Sequence, residues 1–302
     1  MKGKFFSPGK LLLTAEYVVL DGALALAVPS KLGQEFFFDE FQNAESIVVW
    51  EAFHQEKLWL SAKIDYQHWK IIETNHREAA EFVLKILQKV SQLSGSKFRS
   101  ENSYFIKTNL QFPENFGLGS SSTLMNNLAN WANIDAFLLN EEIFGGSGYD
   151  VAVAKEKSVV LYQLKNGERN IQKINFKPAF KNELIFIHLN QKQNSRAGIR
   201  LYQSKPKSES LIREISMITR EVLNCNDLEN FSELMELHEK KLSEFLGLKT
   251  AKETLFSDCP VFIKSLGAWG GDFVMSRKFP DYQNWFSKKG FSAVFGWEDL
   301  MG

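Results

Sequence analysis

The stretch P-E-N-F-G-L-G-S-S-S-T, residues 113–123, decides how the rest of this sequence is interpreted. Gly117 and Gly119 allow positive φ angles and a close approach of the backbone to a ligand. Ser120 and Ser121 then open a helical pattern, whose first amides could bind phosphate and whose first-turn hydroxyl could ligate Mg²⁺. The stretch is not a Walker A loop. By itself it fits an ordinary N-cap serine after a glycine turn equally well.

A second segment, S-P-G-K at residues 7–10, precedes the apolar run Leu11-Leu12-Leu13. A lysine between a Pro-Gly turn and a buried strand is well placed to project into a cleft. There it could neutralise phosphate charge or lower the pKa of a nearby hydroxyl. The alternative for Lys10 is a solvated side chain at the edge of a strand.

Two further glycine-rich turns end in an aspartate. In G-G-S-G-Y-D, residues 145–150, Asp150 could orient or deprotonate an attacking hydroxyl, or it could simply cap a helix. In G-A-W-G-G-D, residues 267–272, three glycines form a turn that could wrap an anionic group. The alternative there is a hairpin with a β-bulge.

Composition narrows the class of function. The 36 basic residues balance 36 acidic ones, which argues against a nucleic-acid-binding surface. The five histidines have no metal-site spacing, and Cys225 and Cys259 do not indicate a disulfide framework. No segment has the pattern of a signal peptide or of a membrane span. We therefore expect a cytoplasmic protein with no membrane or nucleic-acid partner.

Strand and helix patterns alternate without strict βαβ order, which predicts an α+β fold. Helical spacing of apolar residues predicts helices over 77–93, 208–224 and 227–246, and another that starts near Ser120. Short apolar runs predict strands over 10–14 and 17–20, and a hairpin over 262–277. A polar stretch containing Pro178 suggests a boundary between two domains, 1–178 and 179–302.

Taken together, the four segments resemble the motifs of the GHMP kinases. S-P-G-K-L-L-L-T-A-E-Y is similar to the family's P-G-K followed by G-E-H or G-E-Y, and P-E-N-F-G-L-G-S-S-S to its P-x-G-x-G-L-G-S-S-A. G-S-G-Y-D resembles the S-G-x-D segment that holds the catalytic aspartate, and G-A-W-G-G-D resembles G-A-G-G-G. The resemblance implies two domains, the first like ribosomal protein S5 domain 2 and the second ferredoxin-like. It also implies ATP and Mg²⁺ as cofactors.

The resemblance implies a role for each matching residue. Lys10 and Asp150 would be catalytic, with Lys10 stabilising the substrate oxygen and Asp150 positioning or deprotonating its hydroxyl. The remaining implied sites are ATP binding by Pro113, Gly117, Leu118, Gly119, Ser120, Ser121 and Ser122, Mg²⁺ binding by Ser121 and Glu142, and substrate binding by Glu16, Ser147, Gly148, Gly267, Ala268, Gly270 and Gly271. The acidic Mg²⁺ ligand would come from Glu141 or Glu142, the carboxylates that closely precede the glycine turn over residues 145–150. The alternative is that both glutamates simply lie at a solvated helix end.

Within the family, the continuation Y-V-V-L-D-G-A-L-A-L-A-V-P is similar to mevalonate and phosphomevalonate kinases, with mevalonate kinase slightly favoured. The sequences G-S-G-Y-D and G-G-D favour phosphomevalonate kinase. Asn115 departs from the second of the four GHMP motifs. Two other departures, Trp269 and the Thr14-Ala15 pair before Glu16, motivate a non-catalytic binding protein as a third hypothesis. The sequence leaves open the acceptor, the adenine contacts and whether the protein is a monomer or a homodimer.

Overall fold

The computed structural model describes residues 1–43, 45–99, 102–191 and 195–301. It confirms the predicted α+β class, because strands and helices are mixed without strict alternation. The strands are β1 (Lys2–Leu12), β2 (Ala25–Gln42), β3 (Ile47–His54), β4 (Lys57–Asp65), β5 (Lys70–Thr74), β6 (Asn102–Leu110), β7 (Val160–Lys165), β8 (Glu168–Lys173), β9 (Leu184–His188), β10 (Lys264–Leu266), β11 (Phe273–Arg277) and β12 (Val294–Gly296).

The helices match most of the predicted ones closely, because their apolar spacing is regular. They are α1 (Arg77–Leu93), α2 (Ser120–Ala132), α3 (Ala136–Ile143), α4 (Tyr149–Glu156), α5 (Ser195–Gln203), α6 (Glu209–Asn224), α7 (Leu228–Leu246), α8 (Ala251–Leu255), α9 (Tyr282–Lys288) and α10 (Trp297–Leu300). The predicted hairpin is confirmed, since β10 pairs antiparallel with β11.

The prediction of separate strands over 10–14 and 17–20 was wrong. Strand β1 continues through Pro8 and Gly9 to Leu12, and Val18–Asp21 forms a 3₁₀ turn. Ala15 and Tyr17 have positive φ angles of 70° and 60°, so the backbone cannot remain extended between these two segments.

The chain divides into two compact units, and each consists of segments that are separate in sequence. The first comprises Met1–Gly9, Leu32–Glu114 and Gly119–Lys157, and the second comprises Lys10–Lys31, Asn115–Leu118 and Ser158–Gly302.

The first unit is built on a sheet in the order β5-β4-β3-β6-β2. The pairing of β3 with β6 is parallel, and the other pairs are antiparallel. Helix α1 packs on β4 and β5, and α2 packs against α1, α3 and α4. The core is aromatic: the Phe36 ring lies 6.1 Å from that of Trp131, which meets Tyr104 edge-on at 5.4 Å. The sheet therefore gives α2 and α4, which carry predicted site residues, a rigid base.

The second unit contains a group of three paired strands and a four-stranded sheet. Residues Ala25–Ala27 at the start of β2 pair with β7, which pairs with β8, and the four-stranded sheet has the order β10-β11-β9-β12. Helices α8 and α9 bury apolar side chains against this four-stranded sheet, including Phe256 and Phe286. Helix α7 packs on α6 and on β10. None of the helices in the described residues has both the length and the hydropathy of a membrane span.

A nearly buried charge pair connects β2 to the loop after α1 within the first unit. The ammonium group of Lys97 donates to Glu40 and lies 4.9 Å from the centre of the Trp131 ring, while Trp131 Nε1 donates to Glu40 Oε1 at 2.8 Å. Only 8% and 13% of the two charged side chains are exposed, so either charge would be poorly solvated without the other.

We expect Lys97→Met to lower the free energy of unfolding by about 3–5 kcal/mol, because it leaves the Glu40 carboxylate without its cation. Adding Glu40→Gln should restore most of that loss, since the amide keeps an acceptor for Trp131 without a charge. Guanidinium denaturation of the two single variants and the double variant measures this. Additive losses in the double variant would contradict the coupling.

Candidate active site

Residues Asn115–Leu118, the middle of the glycine–serine loop, are held in the second unit by Lys10. The backbone amide of Lys10 donates to the carbonyl of Leu118 at 2.9 Å, and its Nζ donates to the carbonyl of Gly117 at 2.8 Å. Lys10 therefore lies near the end of β1 with its side chain folded onto the loop. A solvated lysine at a strand edge, the alternative considered for Lys10, does not describe this geometry.

A histidine and two phenylalanines contact Asn115 and Phe116 of this loop. His188 Nε2 donates to the carbonyl of Asn115 at 3.1 Å, and its Nδ1 accepts from the amide of Asn190 at 3.2 Å, which defines the tautomer. The Phe116 ring lies 4.5 Å from His188 and 5.4 Å from Phe273, with Phe295 at 5.9 Å. The sequence pattern did not indicate His188, because the histidines were considered only as metal ligands. Its partner Asn115 is also 73 residues away in the chain.

The turn over residues 267–272 also lies in the second unit, with positive φ angles at Gly267 and Gly270. The amide of Trp269 donates to the hydroxyl of Tyr17 at 2.6 Å, and the indole Nε1 donates to the carbonyl of Lys249 at 3.1 Å. Trp269 thus packs to the side of the turn and lines a cavity of about 210 Å³ together with Tyr17, Ala268 and residues of α5. At the end of the turn, the carboxylate of Asp272 occupies the space that a Cβ would take at Gly117.

In the first unit, the N-terminus of α2 has free hydrogen-bond donors. Its N-cap is Gly119, with φ 84° and no side-chain cap, so the ordinary N-cap serine considered from the sequence is not present. Among the described residues, no acceptor meets the amides of Ser120, Ser121 and Ser122, or the hydroxyls of Ser120 and Ser121. Ser122 instead donates to the carbonyl of Gly119 at 2.9 Å. Such an end favours an anion, because its donors and the helix dipole both attract negative charge.

Asp150 lies in the first turn of α4, so the helix of the alternative interpretation is present, but Asp150 is not its cap. Gly148 is the N-cap with φ 84°, and Asp150 Oδ1 accepts from the amide of Val151 at 3.0 Å. Ser147, just before, is buried. Helix α4 packs on α2, where Asn126 Nδ2 donates to the carbonyl of Ala154 at 3.1 Å. The first unit thus holds the serines of α2 and Asp150 on two helices in contact.

Glu142, the predicted acidic Mg²⁺ ligand, forms an ion pair with Lys89 at 3.1 Å at the end of α3. The part of the chain that the structure describes has no group of three acidic, histidine or cysteine side chains arranged to hold a metal. That does not argue against Mg²⁺, which proteins often bind through one or two side chains and substrate phosphates. The hydroxyl of Ser121 has no hydrogen-bond partner among the described residues and could ligate Mg²⁺. Glu142 would first have to break its ion pair with Lys89.

The fold is similar to those of known small-molecule kinases. Methanococcus jannaschii mevalonate kinase matches with a TM-score of 0.66 and 16% identity, covering 98% of this chain and 97% of that one. Streptococcus pneumoniae phosphomevalonate kinase, in complex with phosphomevalonate and AMPPNP, matches with a TM-score of 0.68 and 16% identity over 98% and 99%. Lactococcus lactis galactokinase, complexed with galactose, matches with 0.64 and 13% over 95% and 88%.

The chain has the GHMP kinase fold. At these identities the likeness concerns the fold and does not identify an acceptor. No protein-family model and no curated protein sequence matches the chain.

The residues that follow the GHMP-like P-G-K segment are fixed by a buried charged cluster in the second unit. Lys264 Nζ donates to Glu16 Oε1 at 2.7 Å and lies 3.6 Å from Glu239 Oε2. Ser265 Oγ donates to Glu239 Oε1 at 2.6 Å. Glu16 is 1% exposed, so the structure gives it a role in positioning this segment, and its contact with a substrate remains a prediction.

His238 completes the cluster and contacts both Ala15 and Glu16. Its Nε2 accepts from the amide of Ala15 at 2.8 Å and lies 3.5 Å from Glu16 Oε2, which has no hydrogen-bond partner among the described residues. Burial raises the pKa of Glu16, although Lys264 opposes the shift, and burial together with Lys264 lowers the pKa of His238 well below 6.5. Because Nε2 accepts the amide proton of Ala15, His238 holds the backbone directly before Glu16 in place.

Ala15 has a backbone conformation that favours glycine, which is the residue of the GHMP motif at this position. Its φ is 70°, and its amide is held by His238. We expect Ala15→Gly to raise the free energy of unfolding by about 0.5–1 kcal/mol, because relief of the Cβ strain exceeds the added entropy of the unfolded chain. Urea denaturation measures the change.

The control is Ala25→Gly in β2, which should be destabilising. A loss of stability in both variants would contradict the proposed backbone strain at Ala15.

The raised pKa of Glu16 predicts a pH dependence. The folded state keeps a proton that the unfolded state releases above 4.5, so Glu16 costs stability as the pH rises through its folded pKa. Glu16→Gln lacks this cost, and we expect its stability relative to the wild type to increase from pH 4.5 upward. The effect of His238 acts in both proteins and cancels. Chemical denaturation from pH 4.5 to 8 tests this, with the exposed Glu221→Gln as the control. A stability difference that stays constant with pH would refute the raised pKa of Glu16.

Proposed function

We propose that the protein is an ATP-dependent kinase that phosphorylates the hydroxyl of a small hydroxy-acid, with mevalonate as the first candidate acceptor. The observation that carries this proposal is the contact of Lys10 with Gly117, which puts a cation on the glycine–serine loop. The free donors at the N-terminus of α2 support phosphate binding by the same loop. Phosphoryl transfer depends mainly on positioning and on charge stabilisation, which these residue types can supply.

Each part of the proposed site has a chemical role. Gly117–Ser121 would bind the ATP phosphates through backbone amides, and Lys10 would stabilise negative charge on the acceptor oxygen. Asp150, in the first turn of α4, would orient the acceptor hydroxyl and receive its proton. Gly267–Gly271, with Ala268 in the turn, would contact substrate, as would Ser147 and Gly148.

Ser121 would be the side-chain ligand of Mg²⁺, and its hydroxyl has no competing partner among the described residues. When bound, Mg²⁺ would neutralise charge on the β- and γ-phosphates. Equal numbers of basic and acidic residues argue against a nucleic-acid partner. A small-molecule acceptor and a cytoplasmic setting are parts of the same proposal.

Phosphomevalonate is the second candidate acceptor. The observation that favours it is the aspartate that ends G-A-W-G-G-D, whose carboxylate packs on Gly117. Among the GHMP kinases, a turn that ends in G-G-D is more similar to the motif of phosphomevalonate kinase than to that of mevalonate kinase. Comparing the two acceptors under the same conditions separates the candidates, because each predicts the higher kcat/KM for its own acceptor.

The test is ADP release with mevalonate, phosphomevalonate, homoserine and galactose. We expect turnover with one of the first two, and losses of about 100-fold or more in kcat for Lys10→Met and Asp150→Asn. Lys4→Met, in the same strand as Lys10, and Asp39→Asn are matched controls that should retain activity. Folded wild-type protein that turns over none of the four acceptors would refute the proposal. Ligand binding without phosphorylation, unaffected by Asp150→Asn, would favour a non-catalytic binding protein.

A further inference from the structure

Asp272, which ends the glycine turn over residues 267–272, is a charged residue to which the proposed function assigns no role. Its carbonyl accepts from the amide of Leu189 at 2.9 Å, and the next residue, Phe273, begins β11 and pairs with His188 in β9. The backbone of Asp272 is therefore fixed at the end of two paired strands. Its side chain therefore projects from the position where β11 begins.

The side chain of Asp272 packs directly on the glycine–serine loop. Its carboxylate fills the space where a Cβ would stand at Gly117, whose φ is 65°. The carbonyl of the same glycine accepts from Lys10 Nζ at 2.8 Å. Gly117 is thus contacted by a cation through its carbonyl and by an anion at its Cα, and His188 and Phe116 hold the preceding residues in place.

An anion in this position opposes the binding of phosphates. A bare nucleoside triphosphate carries about four negative charges, and its complex with a divalent cation about two, so a nearby carboxylate repels the bare form more strongly. Lys10 attracts both forms, and it too attracts the more highly charged one more strongly. Of the two charged side chains that contact Gly117, the carboxylate is therefore the one that favours the form with less charge.

We propose that Asp272 makes the loop select a nucleoside triphosphate in complex with a divalent cation over the bare triphosphate. This proposal rests on the proposed function, because it requires that the loop bind a triphosphate. It assigns to Asp272 a role in specificity through charge, separate from phosphoryl transfer itself.

The experiment is calorimetric titration with AMPPNP, once with excess Mg²⁺ and once with EDTA. The quantity compared is the ratio of the Kd in EDTA to the Kd in Mg²⁺. We expect Asp272→Asn to tighten binding in EDTA and so lower this ratio roughly five- to thirty-fold. Asp272→Glu keeps the charge and should keep the ratio. Asp258→Asn, an exposed carboxylate paired with Lys289, changes the net charge equally and should leave the ratio unchanged.

The outcomes separate this inference from the proposed function. Folded wild-type protein that binds AMPPNP in neither condition refutes the proposed function and the inference with it. Wild-type binding in Mg²⁺ with the same ratio in Asp272→Asn refutes the inference alone. A lower ratio caused only by weaker binding in Mg²⁺ also refutes it, and identifies Asp272 as a metal ligand.

The wild-type protein provides a test that needs no variant. Its ratio should be at least about ten, and a ratio near one would refute the selection by charge. Thermal melting checks that each variant is folded, and Asp272→Ser replaces Asp272→Asn if the latter does not fold.

Discussion

The buried ion pair of Lys264 with Glu16 holds together the parts of the second unit that matter for function. Lys264 lies in β10, directly before the glycine turn over residues 267–272, and Glu16 follows β1, the strand that contains Lys10. Two fully buried ionic groups are costly unless they are paired, so the cluster tolerates little movement of either segment. It is completed by His238, which holds Ala15 in a strained conformation. The pair of Lys264 with Glu16 therefore links the position of Lys10 to that of the turn over residues 267–272.

The glycine–serine loop has its donors and its charges on different residues. Its helical end offers free amides and hydroxyls, while Gly117 contacts both Lys10 and the carboxylate of Asp272. A loop with donors and a lysine alone would attract any polyphosphate. A carboxylate on the same loop adds a preference among anions, which is a way to obtain specificity without additional hydrogen bonds.

Much of the fold was predictable from local patterns. The spacing of Ala80, Val83, Leu87 and Val90 predicted α1, and the glycines followed by serines predicted the start of α2, because both signals lie within a few consecutive residues. The region after Lys10 was not predictable in this way. Its apolar residues are typical of strands, but Ala15 and Tyr17 take positive φ angles imposed by tertiary contacts of His238 and Trp269.

The sequence by itself determined the α+β class and the segments that carry the chemistry, since glycine turns, an adjacent lysine and an aspartate are local features with local physical meaning. Only the tertiary structure decided which residues meet around the loop. His188 approaches Asn115, Asp272 packs on Gly117, and Lys264 pairs with Glu16 across separations of 73, 155 and 248 residues. Such contacts arise from strand pairing and from the pairing of buried charges, and no short stretch of sequence encodes either.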